Sequence, residues 1–433
     1  MSQVIFRKKN TTIIGEFKMS LGLNFEYYPK INANLMEKLI SISKSNKPHW
    51  DPPFFTDTES YIDMGAIRQA SKEFLGEKIK NVIVLGTGGS IQTLLALRHL
   101  SKKNLYSITS SRAVELKQCL DATDPENSVV IPISRGGETL DVNSTIGIFL
   151  KNNYKFLGLS SKGTMRQILE KIGCPILEVP DISGRFAGSI SNVGIVPAFL
   201  LGVNIEDFLK GLNDAYKEFM CFDENSAFRF SAFLYNLYKK GYKIVFSMPY
   251  SLNLEGSVGL FVQETSESTG KNEKGLIGAY QSAPLCQHSV LEYLLGGTKG
   301  AAVPVLWTIK NEFPDFSLDS SIEYVNGQTA QTIVNYQADA TFQALIEQGV
   351  PSAKVSIERC DEYNIGNLIA FIQSTVYYLC LLLDVKWSNN PKVVIGKKIG
   401  IEALKNRIPP EEREKIRKEL AESKFHRDFF GIS

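Results

Sequence analysis

Three stretches in the first half of the chain repeat one order: an apolar, β-branched run, a polar turn, then an amphipathic helical pattern. They are "NVIVLGTGGSIQTLLALRHL", "SVVIPISRGGETLDVNSTIGIFLKN" and "FLGLSSKGTMRQILEKIG". Strands alternating with helices in this way fold as a parallel sheet covered on both faces. Right-handed crossovers bring the turns that follow the strands to one edge of that sheet, where ligands usually bind. The second half restarts the order with "KIVFSM", "AAVPVLWTI" and "AKVSIERC", after a helical stretch, "DENSAFRFSAFLYNLYKKG".

The expected fold class is therefore α/β, with two doubly wound parallel-sheet domains. A chain of 433 residues exceeds one ordinary core, which agrees with that division. The pattern predicts a mostly helical N-terminal segment over 1–75, a first domain over 76–220, a second over 221–400 and a C-terminal helix over 401–433. No low-complexity linker interrupts the chain, so the domains are expected to pack rather than hang on a tether.

Charge narrows the partners. The 48 Lys+Arg against 46 Asp+Glu leave a net charge of +2, which gives no reason to expect nucleic acid or a membrane surface. An anion bound here would be small and held locally. "MSQVIFRKKNTTIIGEF" has no apolar stretch long enough for a signal peptide. "IGNLIAFIQSTVYYLCLLLDV" is broken by Asn367, Gln373, Ser374 and Thr375, and reads as a buried helix, with a membrane span as the second choice. The six cysteines are scattered without a CxxC pair, as expected of reduced residues in a cytoplasmic protein. None of the four histidines has metal-ligand spacing, so no zinc site is expected, and no motif calls for another cofactor.

Two turns could hold a phosphate. "GTGGS" (Gly86–Ser90) ends a strand and opens a helix, where glycines admit an anion to free backbone N–H groups. It is neither a Walker A loop nor a full GxGxxG fingerprint, and alone it reads equally as a tight turn. "SRGGETLD" (Ser134–Asp141) occupies the same place one unit later, with Ser134, Thr139 and the backbone at Gly136 and Gly137 as donors and Arg135 as added charge. Two such turns on one sheet edge favour a phosphate site. Further on, "SESTGKNEKG" sets Glu267 in a short polar turn, where local context favours an ordinary solvated carboxylate. Taken singly, Arg185 reads as a surface ion-pair residue and His288 as a structural histidine. His49, His99 and His426 have no supporting context.

Together, "GTGGS", "ISRGGETLD", "GRFAGSISNVGIVPAFLLG", "QETSESTGK", "QHSVLEYLLGG" and "NNPKVVIGK" resemble, in order and character, the glucose-6-phosphate isomerase family, from about residue 80 to about residue 400. That resemblance implies two sugar-isomerase (SIS) domains and interconversion of glucose 6-phosphate and fructose 6-phosphate through an enediolate. It implies a homodimer in which His288 reaches the neighbouring subunit's site. It implies Glu267 as the base that moves a proton between C1 and C2, with Gln263 contacting substrate. Arg185, beside Gly184, would stabilise the enediolate, His288 would open the ring, and Lys397 would stand near the ring oxygen. Gly89, Ser90, Ser134, Arg135, Gly136 and Thr139 would hold the sugar and its phosphate.

The chain departs from the family in two places. "SRGGETLD" has fewer hydroxyls than the family's loop and brings Glu138 near the anion, which a carboxylate repels unless turned away. Asn389-Asn390 stand where the family has Asp-Gln. The alternatives are a broader isomerase that also takes mannose 6-phosphate and a non-catalytic sugar-phosphate sensor, which would have no use for Glu267. An amidotransferase-type synthase lacks support, since no N-terminal cysteine nucleophile is present.

Overall fold

The computed structural model describes residues 14–18, 22–49, 57–180, 182, 184–220 and 225–407, with 409, 411, 412, 414, 415 and 418 beyond them. Its strands, in chain order, are β1 (Gly15–Lys18), β2 (Leu23–Tyr28), β3 (Asn81–Leu85), β4 (Asn104–Ile108), β5 (Ser128–Pro132) and β6 (Lys155–Phe156). They continue as β7 (Gly158–Leu159), β8 (Ile176–Leu177), β9 (Ile244–Pro249), β10 (Ile277–Tyr280), β11 (Ala302–Ile309) and β12 (Ser352–Ile357). The chain divides into two units. Unit one takes Met1–Thr56, Leu95–Leu100 and Asn204–Ser388, and unit two takes Asp57–Leu94, Ser101–Val203 and Asn389–Ser433.

Unit two is built on the parallel sheet β4-β3-β5-β6, beside the short parallel pair β7-β8. Every residue of β3 and β5 is buried, as continuous apolar runs are when helices cover both faces. Ile83, Leu85, Val130, Phe149, Met165 and Leu169 belong to the core beneath. Two consecutive helices, α1 (Gly184–Ile190) and α2 (Asn192–Leu200), belong to the same unit.

Unit one carries a six-stranded sheet in the order β1-β2-β12-β11-β9-β10. The pairs among β9, β10, β11 and β12 are parallel, and β2 joins β12 antiparallel with β1 outside it. The N-terminal segment, expected to be mostly helical, therefore gives two strands to this sheet besides the helices Ala33–Asn46 and Met64–Ser71. The physical reason is alternation: Leu23, Phe25 and Tyr27 are buried while Asn24 and Glu26 between them are half-buried, a period of two.

The helices of unit one are α3 (Ile205–Phe219), α4 (Ser226–Lys239), α5 (Glu255–Thr269), α6 (Ala330–Glu347) and α7 (Glu362–Leu383). α7 is the one described helix long and apolar enough to cross a membrane, and its apolar window is entirely buried, as expected of a core helix. α3, placed by the sequence in the first domain, packs on α7 instead. A Cβ on Gly211 would stand 2.1 Å from the Tyr363 carbonyl oxygen, and one on Gly366 would stand 2.3 Å from that of Phe208. Only glycines let these two backbones touch. The last described helix, α8 (Val393–Arg407), belongs to unit two and has no buried residue. The expected helix over "PEEREKIRKELAESK" lies largely outside the described residues.

Candidate active site

In unit two β3 leads through Gly86 into a single 3-10 turn, Gly88–Ser90, before the helix Gln92–Leu97. Gly88 has φ of +59°, which favours glycine, and Gly89 and Ser90 are half-buried. Gly184 and Arg185 form the first turn of α1. α1 reaches the Gly88–Ser90 turn because Gly188 has no side chain: a Cβ there would lie 2.5 Å from Thr93 Oγ1 and 3.5 Å from the Gly89 carbonyl oxygen. The glycines of "GRFAGSISNVG" thus have a packing reason.

After β5 the chain turns through "SRGGETLD". The Ser134 amide donates to the Leu159 carbonyl at 3.0 Å, and its buried hydroxyl donates to Thr139 Oγ1 at 3.0 Å. The two predicted hydroxyl donors therefore stand side by side. Gly137 has φ of +76°, and a Cβ on it would meet the Lys162 carbonyl oxygen at 2.2 Å. Arg135 is half-buried and its Nη1 donates to the Ile182 carbonyl, while Gly136 is exposed.

Glu138 is turned away from this cluster. Its carboxylate accepts from the Thr164 amide and from the Thr164 hydroxyl, each at 2.8 Å. The Thr164 amide first, and then the hydroxyl, hold the carboxyl below its ordinary range. The helix it meets, Gly163–Ile172, has unsatisfied N–H groups at its start that a carboxylate satisfies. The repulsion that Glu138 threatened is spent on a helix start.

In unit one Glu267 lies in the last turn of α5, not in the polar turn expected from its neighbours. The helix runs on because its inward residues, among them Leu260, Phe261 and Ser268, are buried, while Ser266 Oγ donates to the Val262 carbonyl at 2.7 Å and Thr269 Oγ1 to that of Thr265 at 2.6 Å. These bonds keep the hydroxyls from competing for the backbone. The turn proper is Gly270–Gly275, where Gly275 has φ of +116°. Gln263, one helical turn before Glu267, donates from Nε2 to Glu267 Oε1 at 3.3 Å, and both side chains are half-buried.

His288 ends a 3-10 turn, Leu285–His288, and is exposed. Its neighbour Gln287 anchors that turn, donating to Tyr250 Oη at 2.9 Å and Thr341 Oγ1 at 2.6 Å. Burial pushes Tyr250 up to about 12, so its hydroxyl stays neutral. Lys397 sits on α8 and is exposed. Glu267, Gln263 and His288 thus belong to unit one, and the other predicted site residues to unit two. Sequence reasoning passed over Glu264, which is wholly buried and accepts from Gln373 Nε2 at 2.9 Å. An acid on the inward face of an otherwise helical pattern was the available signal. Among the described residues no group of three or more His, Cys, Asp or Glu stands ready for a metal, and none of the five described cysteines is in a disulfide.

Two units built on parallel sheets, each with helices among its strands, define an α/β fold of two parallel-sheet units. No protein-family profile matches the chain. A glucose-6-phosphate isomerase of Methanocaldococcus jannaschii is 27% identical over 341 residues, covering 74% of this chain and 83% of that protein. One from Shouchella clausii is 26% identical over 387 residues, covering 80% and 85%. The solved glucose-6-phosphate isomerase of Chlamydia trachomatis superposes with a TM-score of 0.74 at 18% identity, covering 93% and 92%. A hypothetical protein from Thermus thermophilus does so with 0.71 at 19% identity, covering 86% and 91%. The chain is thus similar in sequence, over about three quarters of its length or more, and in fold to glucose-6-phosphate isomerases.

Proposed function

We propose that the chain is an aldose–ketose isomerase that interconverts glucose 6-phosphate and fructose 6-phosphate through a cis-enediolate, in glycolysis and gluconeogenesis. The observation that carries this reading is Glu267, a half-buried carboxylate with Gln263 donating to one of its oxygens. The relatives' names supply the substrate.

Isomerisation needs a base that takes a carbon-bound proton and returns it one carbon over. A partly desolvated carboxylate does this, and such catalysis contributes about 10²–10⁴-fold. The intermediate is an anion, for which a guanidinium lowers the barrier, and this role falls to Arg185, beside Gly184. Ring opening needs a proton carrier with a pKa near neutrality, and exposed His288 takes it, with Lys397 at the ring oxygen. Gly89, Ser90, Ser134, Arg135, Gly136 and Thr139 take the sugar and its phosphate, Ser134 and Thr139 as adjoining hydroxyls. No step calls for a redox cofactor.

The reading includes a cytoplasmic homodimer in which His288 serves the neighbouring subunit, since its exposure leaves it open to a second chain. The decisive assay is NADPH formation from fructose 6-phosphate with glucose-6-phosphate dehydrogenase as coupling enzyme. Absence of NADPH at micromolar chain concentration overturns the reading. For the dimer, Glu267→Gln and His288→Ala chains refolded together should regain activity. Confirmed mixing without activity removes the shared site.

A further inference from the structure

α5 carries Gln263 and Glu267, and three features fix where it lies. A Cβ on Gly256 would stand 2.1 Å from the Leu95 carbonyl oxygen, so the start of the helix meets backbone directly. On one flank Ser266 Oγ accepts from the Gly278 amide of β10 at 2.9 Å. On the inward face Glu264, with no exposed surface, accepts from Gln373 Nε2 of α7 at 2.9 Å. Gln373 Oε1 in turn accepts from the Tyr216 hydroxyl of α3 at 2.5 Å.

The rest of that face is Val258, Leu260, Phe261, Thr265, Ser268 and Thr269. Apolar contact is non-directional, and would hold α5 against α7 without fixing its rotation. A carboxylate bonded through an amide to a phenol fixes both rotation and height, and burying it is costly unless it is so paired. Glu264 stands one residue from Gln263 and three from Glu267. Whatever sets its direction sets theirs.

We propose that Glu264 is a positioning residue for the isomerisation, holding Gln263 and Glu267 in their working direction through Gln373 and Tyr216. This rests on the isomerase reading above. The test compares Glu264→Leu, Glu264→Gln and Thr265→Val with the parent full-length chain. Fructose 6-phosphate is the substrate, and each variant is held below its melting transition. Thr265 is the control, since it is equally buried on the same helix and its hydroxyl has no hydrogen-bond partner among the described residues.

Leucine should lower kcat by about 10- to 100-fold, the size of a small misplacement of reacting groups, and leave KM within about three-fold. Glutamine keeps an acceptor oxygen and should restore kcat to within about five-fold of the parent. Thr265→Val should leave both unchanged. A Glu264→Leu chain with the parent's kcat, or a Thr265→Val chain equally impaired, overturns the positioning role. Should Glu264→Leu not fold, Tyr216→Phe removes only the distal hydroxyl and should lower kcat a few-fold at constant KM. The parent's kcat in that variant overturns the role as well. A parent chain without isomerase activity overturns the functional reading, and this inference falls with it. An active parent beside an unaffected Glu264→Leu overturns only the inference.

Discussion

Each unit ends a long parallel strand in a 3-10 turn, and the two turns are finished in opposite ways. After β3 the turn Gly88–Ser90 is made of glycines and one serine. After β9 the turn Leu252–Leu254 follows Ser251, whose hydroxyl donates to the Glu312 carboxylate. Asn253 Nδ2 donates to the same oxygen at 2.8 Å, and the Asn253 amide donates to Ser251 Oγ at 3.0 Å. The same device is a small-residue turn in unit two and a turn already supplied with a carboxylate in unit one. The difference teaches that strand-end turns are not interchangeable anion sites: one that holds its own acid has little use for a phosphate. Under the proposed function, phosphate holding belongs to unit two and proton transfer to Glu267 of unit one.

The sharpest way to break that division is Glu267→Gln in unit one. Turnover should fall by about 10²–10⁴-fold, with sugar-phosphate binding kept. Coupled-assay rates near the parent's would refute it. In unit two, Ser134→Ala and Thr139→Ala should act on KM instead, each lost bond to a charged group costing about 1.5–3 kcal/mol. A fall in turnover at constant KM would reverse the roles of the units.

Gly188→Ala tests the close approach of α1 to the Gly88–Ser90 turn. Its Cβ would press on Thr93 Oγ1 at 2.5 Å, an overpacking expected to cost about 1–3 kcal/mol in urea unfolding. An unchanged unfolding midpoint would show that the approach has slack.

The smallest effect belongs to Glu138→Gln, which weakens a helix-start contact and should cost about 0.5–1 kcal/mol. Its carboxyl is held below the ordinary carboxylate range, so its stabilisation is present above that range and lost as pH falls through the lowered value. The deficit of the variant should appear near neutrality and vanish in acid. A deficit equal at both pH values would place the effect elsewhere.

The parallel strands were legible because β3, β5, β9 and β11 are apolar runs with one polar residue each, Asn81, Ser128, Ser247 and Thr308, rather than alternating patterns, as strands covered on both faces are. β2 was legible in principle, through Leu23, Phe25 and Tyr27, but the alternation is only three residues deep. The turn expected at Glu267 gives way to helix because the buried face of α5, with Val258, Leu260, Phe261 and Glu264, overrides the local Ser, Thr and Gly propensities. The orientation of Glu138 depends on Thr164, 26 positions later. The burial of Glu264 depends on Gln373, 109 positions later. Neither distance leaves a local trace. The adjoining of Ser134 and Thr139 lies within five positions, and there the turn itself was enough.

The pairing of β2 with β12 sets a timetable for biosynthesis. Phe25 lies opposite Val355, so 355 − 25 = 330 positions of chain separate two residues that share one ladder. As the polypeptide leaves the ribosome, β2 is made early, pairs at most with β1, and waits through the synthesis of all of β3 to β11 before β12 exists. Its inward side chains, Leu23, Phe25 and Tyr27, are uncovered for that interval. Sheets closed by such remote pairs form slowly, and their unpaired edges invite association with other chains. A nascent chain arrested before residue 352 should therefore be bound by chaperones, and one arrested well beyond residue 388 should be released from them.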